Sequence, residues 1–157
     1  MRRDIFKSAP RLDPRNIQKE DIPRQIGLYA WILRKTRKIS YIGRAVGVGG
    51  LRRRICFQHL NPRYLEARKE RFTSRDSFQV NHPMRIKGKV VICKSAFRRN
   101  IARAHCLMAG EECVDYIKRN FLLSFVTFGD NEKELVKEIE KSLILSIKPK
   151  YNIAHKE

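Results

Sequence analysis

From Ile26 to Leu33 the chain carries an unbroken apolar run rich in aromatic and β-branched residues. A run of this length without a polar interruption predicts a strand covered on both faces. Arg34 to Lys38 reads as a charged turn, and Ile39 to Ile42 as a return strand ending at Gly43. Gly47-Val48-Gly49-Gly50 is a turn, after which Leu51 to His59 has helical spacing, with Leu51, Ile55 and Cys56 inward and Arg52 and Arg53 outward. Asn61-Pro62 ends that helix. Phe97, Ile101, Ala104 and Met108 predict a helix over Ala96 to Met108, Gly110 breaks it, and Glu111 to Arg119 forms another. Phe121 to Phe128 reads as a third strand. Gly129-Asp130-Asn131 then leads into a last helix from about Glu132 to Ile147, with Asp130 or Asn131 as N-cap and Pro149 as stop.

Less pattern is visible elsewhere. Residues 1–25 are rich in Arg, Pro and Asp and read as a basic arm with a short helix at Asn16 to Glu20. Residues 62–120 form a basic, largely helical insert, with a helical piece at Tyr64 to Arg71 and Lys89 to Cys93 as a short strand or a lead into a helix. Residues 153–157 are a tail. The expected architecture is one α+β domain: a mostly antiparallel three-stranded sheet flanked by helices.

Composition adds a partner. Thirty-five Lys and Arg oppose 16 Asp and Glu, for a net charge of +19. The cations are spread along the whole chain rather than confined to a tail, which suits a surface that follows a phosphate backbone. A ribosome-associated or RNA-binding protein would share this charge. No run approaches a membrane span in length, and no apolar stretch of signal-peptide type follows Met1-Arg2-Arg3-Asp4. The expected location is the cytoplasm, on the nucleoid when DNA is bound, with no membrane partner. Cys56, Cys93, Cys106 and Cys113 contain no Cys-x-x-Cys pair. They are expected to be thiols in a reducing compartment, with no structural zinc.

One carboxylate breaks its helix pattern. On a wheel starting at Leu135, Ile139, Leu143 and Val136 fall at about 40°, 80° and 100°. Glu140 falls at about 140°, inside the apolar arc that ends with Ile144 near 180°. Glu134, Lys137, Glu138 and Lys141 lie outside it. A carboxylate in such a place needs a cation or donors. An edge position paired with a surface Lys or Arg would satisfy it equally well.

Gly27-Leu28-Tyr29, Tyr41-Ile42-Gly43 with Arg44 behind it, Arg54 and His59 on the following helix, Glu140 on the last helix and Pro149-Lys150-Tyr151-Asn152 stand in that order. In order and spacing they resemble the GIY-YIG nucleases, over about Ile26 to Asn152. The first motif departs only by Leu28 in place of Ile. Eleven residues lie between Tyr29 and Tyr41, and Asn152 follows Glu140 by twelve positions. His59 follows Arg54 by five positions where four is commoner in the family, which leaves Arg52, Arg53 and Arg54 as alternatives for the catalytic arginine.

The resemblance implies a metal-dependent endonuclease that hydrolyses DNA, leaving 5′-phosphate and 3′-hydroxyl ends. Glu140 would hold a single Mg²⁺ or Mn²⁺. Tyr29 would orient or deprotonate the attacking water, Tyr41 would bond to that water or the phosphate, and Arg54 would clamp the phosphate. His59 would bond to Tyr29 or take its proton, and Asn152 would orient the site. Arg44, Arg52, Arg53, Arg98 and Arg99 are expected DNA contacts. A free-standing chain of this size fits a restriction-type enzyme, acting as a homodimer on DNA to cut both strands. The alternatives are a homing or repair-type nuclease of the same family and a non-catalytic nucleic-acid-binding module.

Overall fold

The computed structural model describes residues 5–67 and 76–152. The predicted tail at 153–157, the basic run at 68–75 and the first four residues of the predicted arm lie outside the described residues. The fold is α+β. Strand β1 (Arg11–Leu12) is followed by β2 (Gly27–Leu33) and β3 (Ile39–Ala45). Helix α1 (Gly50–Arg52) runs directly into a π-helical segment, Arg53–His59. Then come β4 (Leu65–Ala67), α2 (Ser77–Asn81), β5 (Met84–Ile86), β6 (Lys89–Cys93), α3 (Ala96–His105), α4 (Glu111–Asn120), β7 (Phe121–Thr127) and α5 (Lys133–Ile147).

The main sheet is antiparallel in the order β1-β7-β2-β3. Strand β2 is central and has a layer on each face, which is why its sequence is apolar throughout. Tyr29 and Trp31 face one layer, with Leu51, Ile55, Phe97, Ile101 and Ile117. Leu28, Ala30 and Ile32 face the other, with Val136, Ile139 and Leu143 of α5. The register sets Tyr29 opposite Gly43 and Trp31 opposite Tyr41.

Several expectations are corrected. The segment before residue 26 is no arm: Phe6 and Ile22 are buried in the two core layers, and β1 extends the sheet by pairing with β7. A 3₁₀ turn at Lys19–Asp21 replaces the helix predicted at Asn16 to Glu20. The central sheet therefore has four strands rather than three. The insert is helical in α2, α3 and α4, but it also carries a second antiparallel sheet of β4, β6 and β5 that the helical reading did not include. Lys87 and Gly88, both at positive φ, make the tight turn of its β5–β6 hairpin. The predicted helical piece at Tyr64 to Arg71 is β-strand over Leu65–Ala67, and its remainder lies outside the described residues.

Helix α3 stops at His105, with Cys106 left-handed at φ 53°, so Ala104 and Met108 are exposed rather than core. Neither Asp130 nor Asn131 caps α5. Instead the Gly129 N–H donates to Glu132 Oε1 and the Glu132 N–H to the Gly129 carbonyl, each at 2.9 Å, across a 3₁₀ turn.

Candidate active site

The ring of Tyr29 occupies the space that a side chain at Gly43 would need. A Cβ there would lie 2.2 Å from the Tyr29 hydroxyl oxygen and 2.3 Å from its ring. Residues opposite each other on one face of an antiparallel pair are close neighbours, so only glycine at 43 lets the ring lie flat toward the sheet edge. Strand β3 is that edge, and the site forms around it. Tyr29, Tyr41, Gly43 and Arg54 from one side meet Arg44, Glu140 and Ile144 from the other in one pocket of about 620 Å³.

His59 lies behind the tyrosine. Its Nε2 is 2.5 Å from the Tyr29 hydroxyl, and its Nδ1 is 2.6 Å from Ser95 Oγ. Ser95 is the N-cap of α3, where its oxygen accepts from the Arg98 N–H at 3.4 Å. A serine hydroxyl that accepts from the Arg98 N–H can accept a second bond, so Ser95 accommodates a His59 proton on Nδ1; we assign this tautomer, which presents a bare Nε2 to the phenol.

The π-helix accounts for the unusual spacing. Five residues around an α-helix is a rotation of about 140° from the starting face. Here the Leu60 N–H donates to the Ile55 carbonyl, an i→i+5 bond of 2.9 Å, so residues five apart share a face. Arg54 therefore reaches the pocket while His59 is buried against Tyr29. Arg54 is the one of the three consecutive arginines that lines the tyrosine pocket. Arg53 is exposed beside it, and Arg52 donates from Nε to the Ile22 carbonyl at 2.8 Å.

The electrostatics follow from burial. Loss of water around Tyr29 pushes its phenol well above the ordinary value, and Tyr41 adds to this while Arg54 opposes it. Tyr41 is pushed up to about 12, by burial first and by Glu140 second. His59 is held well below 6.5 by burial, with help from the nearby charges of Arg54 and Arg98. At neutral pH the site thus contains two protonated phenols and an unprotonated imidazole. Tyr41 stacks on Phe97 at 4.7 Å between ring centres, and Phe97 stacks on Trp31 at 5.6 Å, so the tyrosines rest on an aromatic floor.

Glu140 is 13% exposed at its side chain, and its Oε1 accepts from Arg44 Nη1 at 2.8 Å. A pair this exposed on the arginine side contributes about 0–1 kcal/mol to stability, so its consequence is to aim the carboxylate. Among the described residues, Glu140 is the sole carboxylate lining the pocket. Among the described residues no three His, Cys, Asp or Glu side chains converge. Glu140 is the residue of this pocket that could hold a divalent cation, through one carboxylate with the remaining positions taken by other oxygen ligands.

Asn152 does not enter the pocket. Its Oδ1 accepts from the Ile42 N–H and its Nδ2 donates to the Ile42 carbonyl, both at 2.8 Å. The Tyr151 N–H also donates to the Ser40 carbonyl at 2.9 Å. The two residues cap the free edge of β3 as a short strand would, and hold Tyr41 and Gly43 in register.

Arg98 and Arg99, expected to touch DNA, are engaged inside the protein. Arg98 is fully buried, and its guanidinium donates to the carbonyls of Gln58, Asn61 and Tyr64, closing the end of the π-helical segment. Arg99 pairs with Asp76 at 3.3 Å and lies 3.9 Å from Glu66. Helical spacing cannot separate a solvated arginine from one that ties a helix end, since both occupy polar positions. Ser95 is legible in the sequence only in part. A serine opening an apolar helical pattern announces an N-cap, but nothing local shows that it also faces His59.

No helix among the described residues is long and apolar enough to cross a membrane. The chain matches no family model, no curated protein and no solved structure, so the site stands on its own geometry.

Proposed function

We propose that this protein is a metal-dependent endonuclease of GIY-YIG type that hydrolyses phosphodiester bonds in DNA. The observation that carries the reading is the 2.5 Å contact between the Tyr29 hydroxyl and an unprotonated His59, in a pocket that also holds Arg54 and Glu140. A buried phenol is a poor base by itself, because its phenolate is disfavoured. Joined to His59 it becomes a relay. As water attacks phosphorus, one water proton passes to the Tyr29 oxygen while the phenol proton moves to His59 Nε2. The tyrosine then never has to exist as a phenolate.

Arg54 offers a fork of donors to the phosphoryl oxygens and stabilises the charge that builds there. Bound phosphate also offsets the Arg54 charge that helps keep His59 unprotonated, which makes the imidazole a better proton acceptor once substrate is present. Tyr41 donates its protonated hydroxyl to the phosphate. Glu140, steadied by Arg44, would hold a Mg²⁺ or Mn²⁺ ion, which when bound supplies Lewis-acid stabilisation at the phosphoryl and leaving oxygens. The bond from phosphorus to the 3′-oxygen breaks, the 3′-oxygen takes a proton from solvent, and the ends are a 5′-phosphate and a 3′-hydroxyl. The charge of +19 suits a DNA substrate, and a restriction-type enzyme that cuts both strands of a duplex would work as a pair of copies.

The test is plasmid cleavage with Mg²⁺, beside an EDTA control and Glu140→Ala. Cleavage requiring both the metal and Glu140 is expected, with discrete bands for a site-specific enzyme and smearing for an indiscriminate one. One observation favours a second reading: Arg44 already neutralises Glu140. A protein that shifts the plasmid equally with and without Glu140 and never cuts it is a binding module instead.

A further inference from the structure

The catalytic pocket does not end at Arg54. That side chain also lines a neighbouring pocket bounded by Gly47, Val48, Arg53 and Gln58. Arg53 in turn lines a third pocket, of about 300 Å³, with Lys19, Arg24, Arg52 and Phe57. A continuous cationic track therefore leads away from Tyr29. Among the described residues, no carboxylate lines either of the outer pockets. Glu20 and Asp21 share a turn with Lys19, but Asp21 is turned back onto the N–H of Gln18 at 2.8 Å.

Phe57 does not fit this lining. It projects from the π-helical segment and is 50% exposed, while its helix neighbours Leu51 and Ile55 are buried. One exposed apolar residue is ordinary on a protein surface. An aromatic ring set among four cations at the end of a phosphate-binding track is a different arrangement. It pairs a platform for a base with charges for the flanking phosphates.

We infer that Phe57 stacks a nucleobase lifted out of the DNA helix on the side of the scissile phosphate reached by Arg54 and Arg53. This inference rests on the reading of the Tyr29 pocket as a phosphodiesterase site, and it adds the form of the substrate: DNA distorted or unpaired beside the cut. In a continuous duplex the base must first be unstacked, at a cost of a few kcal/mol. A bulge or flap next to the site removes that cost. Such a substrate should bind more tightly than the matched duplex, and the difference should depend on Phe57.

The experiment is a binding titration in EDTA, so that nothing is cut. It uses one labelled duplex with and without a single unpaired 2-aminopurine at its centre, against wild type, Phe57→Ala and Phe57→Trp. Stacking is worth roughly 1–3 kcal/mol per base, which corresponds to about 5- to 150-fold in affinity. The wild type should favour the bulged duplex by a factor in that range and quench the 2-aminopurine. Phe57→Trp should keep both effects, and Phe57→Ala should lose both. The ring is half exposed, so Phe57→Ala should unfold at the wild-type temperature, which separates lost stacking from lost structure.

Equal affinities for the two duplexes in wild type, or a preference that survives Phe57→Ala, would overturn the inference. The two readings fail separately. A protein that shows the Phe57-dependent preference yet never cuts plasmid retains the track and loses the nuclease. One that cuts in a Glu140-dependent way without the preference retains the nuclease and loses the stacked base.

Discussion

At the scale of single residues, the site is governed by what burial does to three titratable groups. His59 is unprotonated in the fold because desolvation, Arg54 and Arg98 all disfavour its charge. In the unfolded chain it takes a proton near 6.5, so below that pH the unfolded state binds more protons than the folded one. Stability should therefore fall as pH drops from about 6.5 through the depressed native value. Tyr29 acts in the opposite direction: its folded pKa is raised, so its contribution is complete below 10 and is lost as pH rises above it. His105 is also lowered, by partial burial and by Lys150, and adds to the acid limb. Thermal unfolding of wild type and His59→Gln between pH 4 and 7 isolates the His59 share. The melting temperature of the variant should fall less steeply with acid. The same depression means that the proton acceptor does not become blocked at the pH typical of a free histidine. Cleavage by wild type should persist below pH 6, and Tyr29→Phe should lower kcat by about 10²- to 10⁴-fold across the profile. A kcat/KM halved near pH 6.5 would show that His59 in the free protein is not the buried, depressed group described here.

At the scale of elements, precision comes from two devices that local pattern does not reveal. One is the π-helical turn that returns His59 to the face of Arg54. The other is Asn152, which binds both backbone groups of Ile42. Replacing Asn152 by Ala leaves an N–H and a carbonyl of β3 without protein partners on a partly buried edge. We expect a loss of about 1–3 kcal/mol in denaturant unfolding and a larger loss of activity, because Tyr41 and Gly43 flank the clamped residue. Asn152→Asp keeps only the acceptor and should fall between the two. Unchanged unfolding and unchanged kcat for Asn152→Ala would make the clamp incidental. The β2–β3 hairpin and α5 were legible in the sequence because each repeats its pattern long enough for period to outweigh chance. So was the Glu140 anomaly: the wheel placed it inside the apolar arc, with an edge position paired to a surface Lys or Arg as the alternative, and the structure finds it largely buried and paired with Arg44. Strands β4 and β5 are three residues each and owe their form to β6, so propensity alone could not reveal them. Arg98 illustrates the same limit, since its partners are three carbonyls distant in sequence and its own neighbours look solvated.

At the scale of the whole molecule, the question is which parts fold together. Composition separates a basic leading segment from an apolar body, but the packing joins them. Phe6 and Ile22 are buried on opposite faces of the sheet, β1 covers the outer edge of β7, and Asp13 bonds to Arg34 on the β2–β3 turn at 2.5 Å. The Ile22 carbonyl also accepts from Arg52, and the Gln25 carbonyl from the Leu51 N–H at 2.9 Å, so the segment holds the start of the helix that carries Arg54 and His59. Burying a large apolar side chain is worth about 1.5–3 kcal/mol, and a domain of this size has about 5–15 kcal/mol in total. Removing residues 1–25 takes away two such side chains, an edge strand and the helix anchor together. The truncated protein should be largely unfolded or protease-sensitive at room temperature, with broad denaturant transitions. A solvated arm would behave differently: its removal would leave the melting temperature intact and weaken DNA binding through lost charge alone. Circular dichroism melts of the full-length and truncated chains, read beside DNA affinity at two salt concentrations, separate these outcomes. A truncated protein that melts with the full-length one would overturn the packing described here.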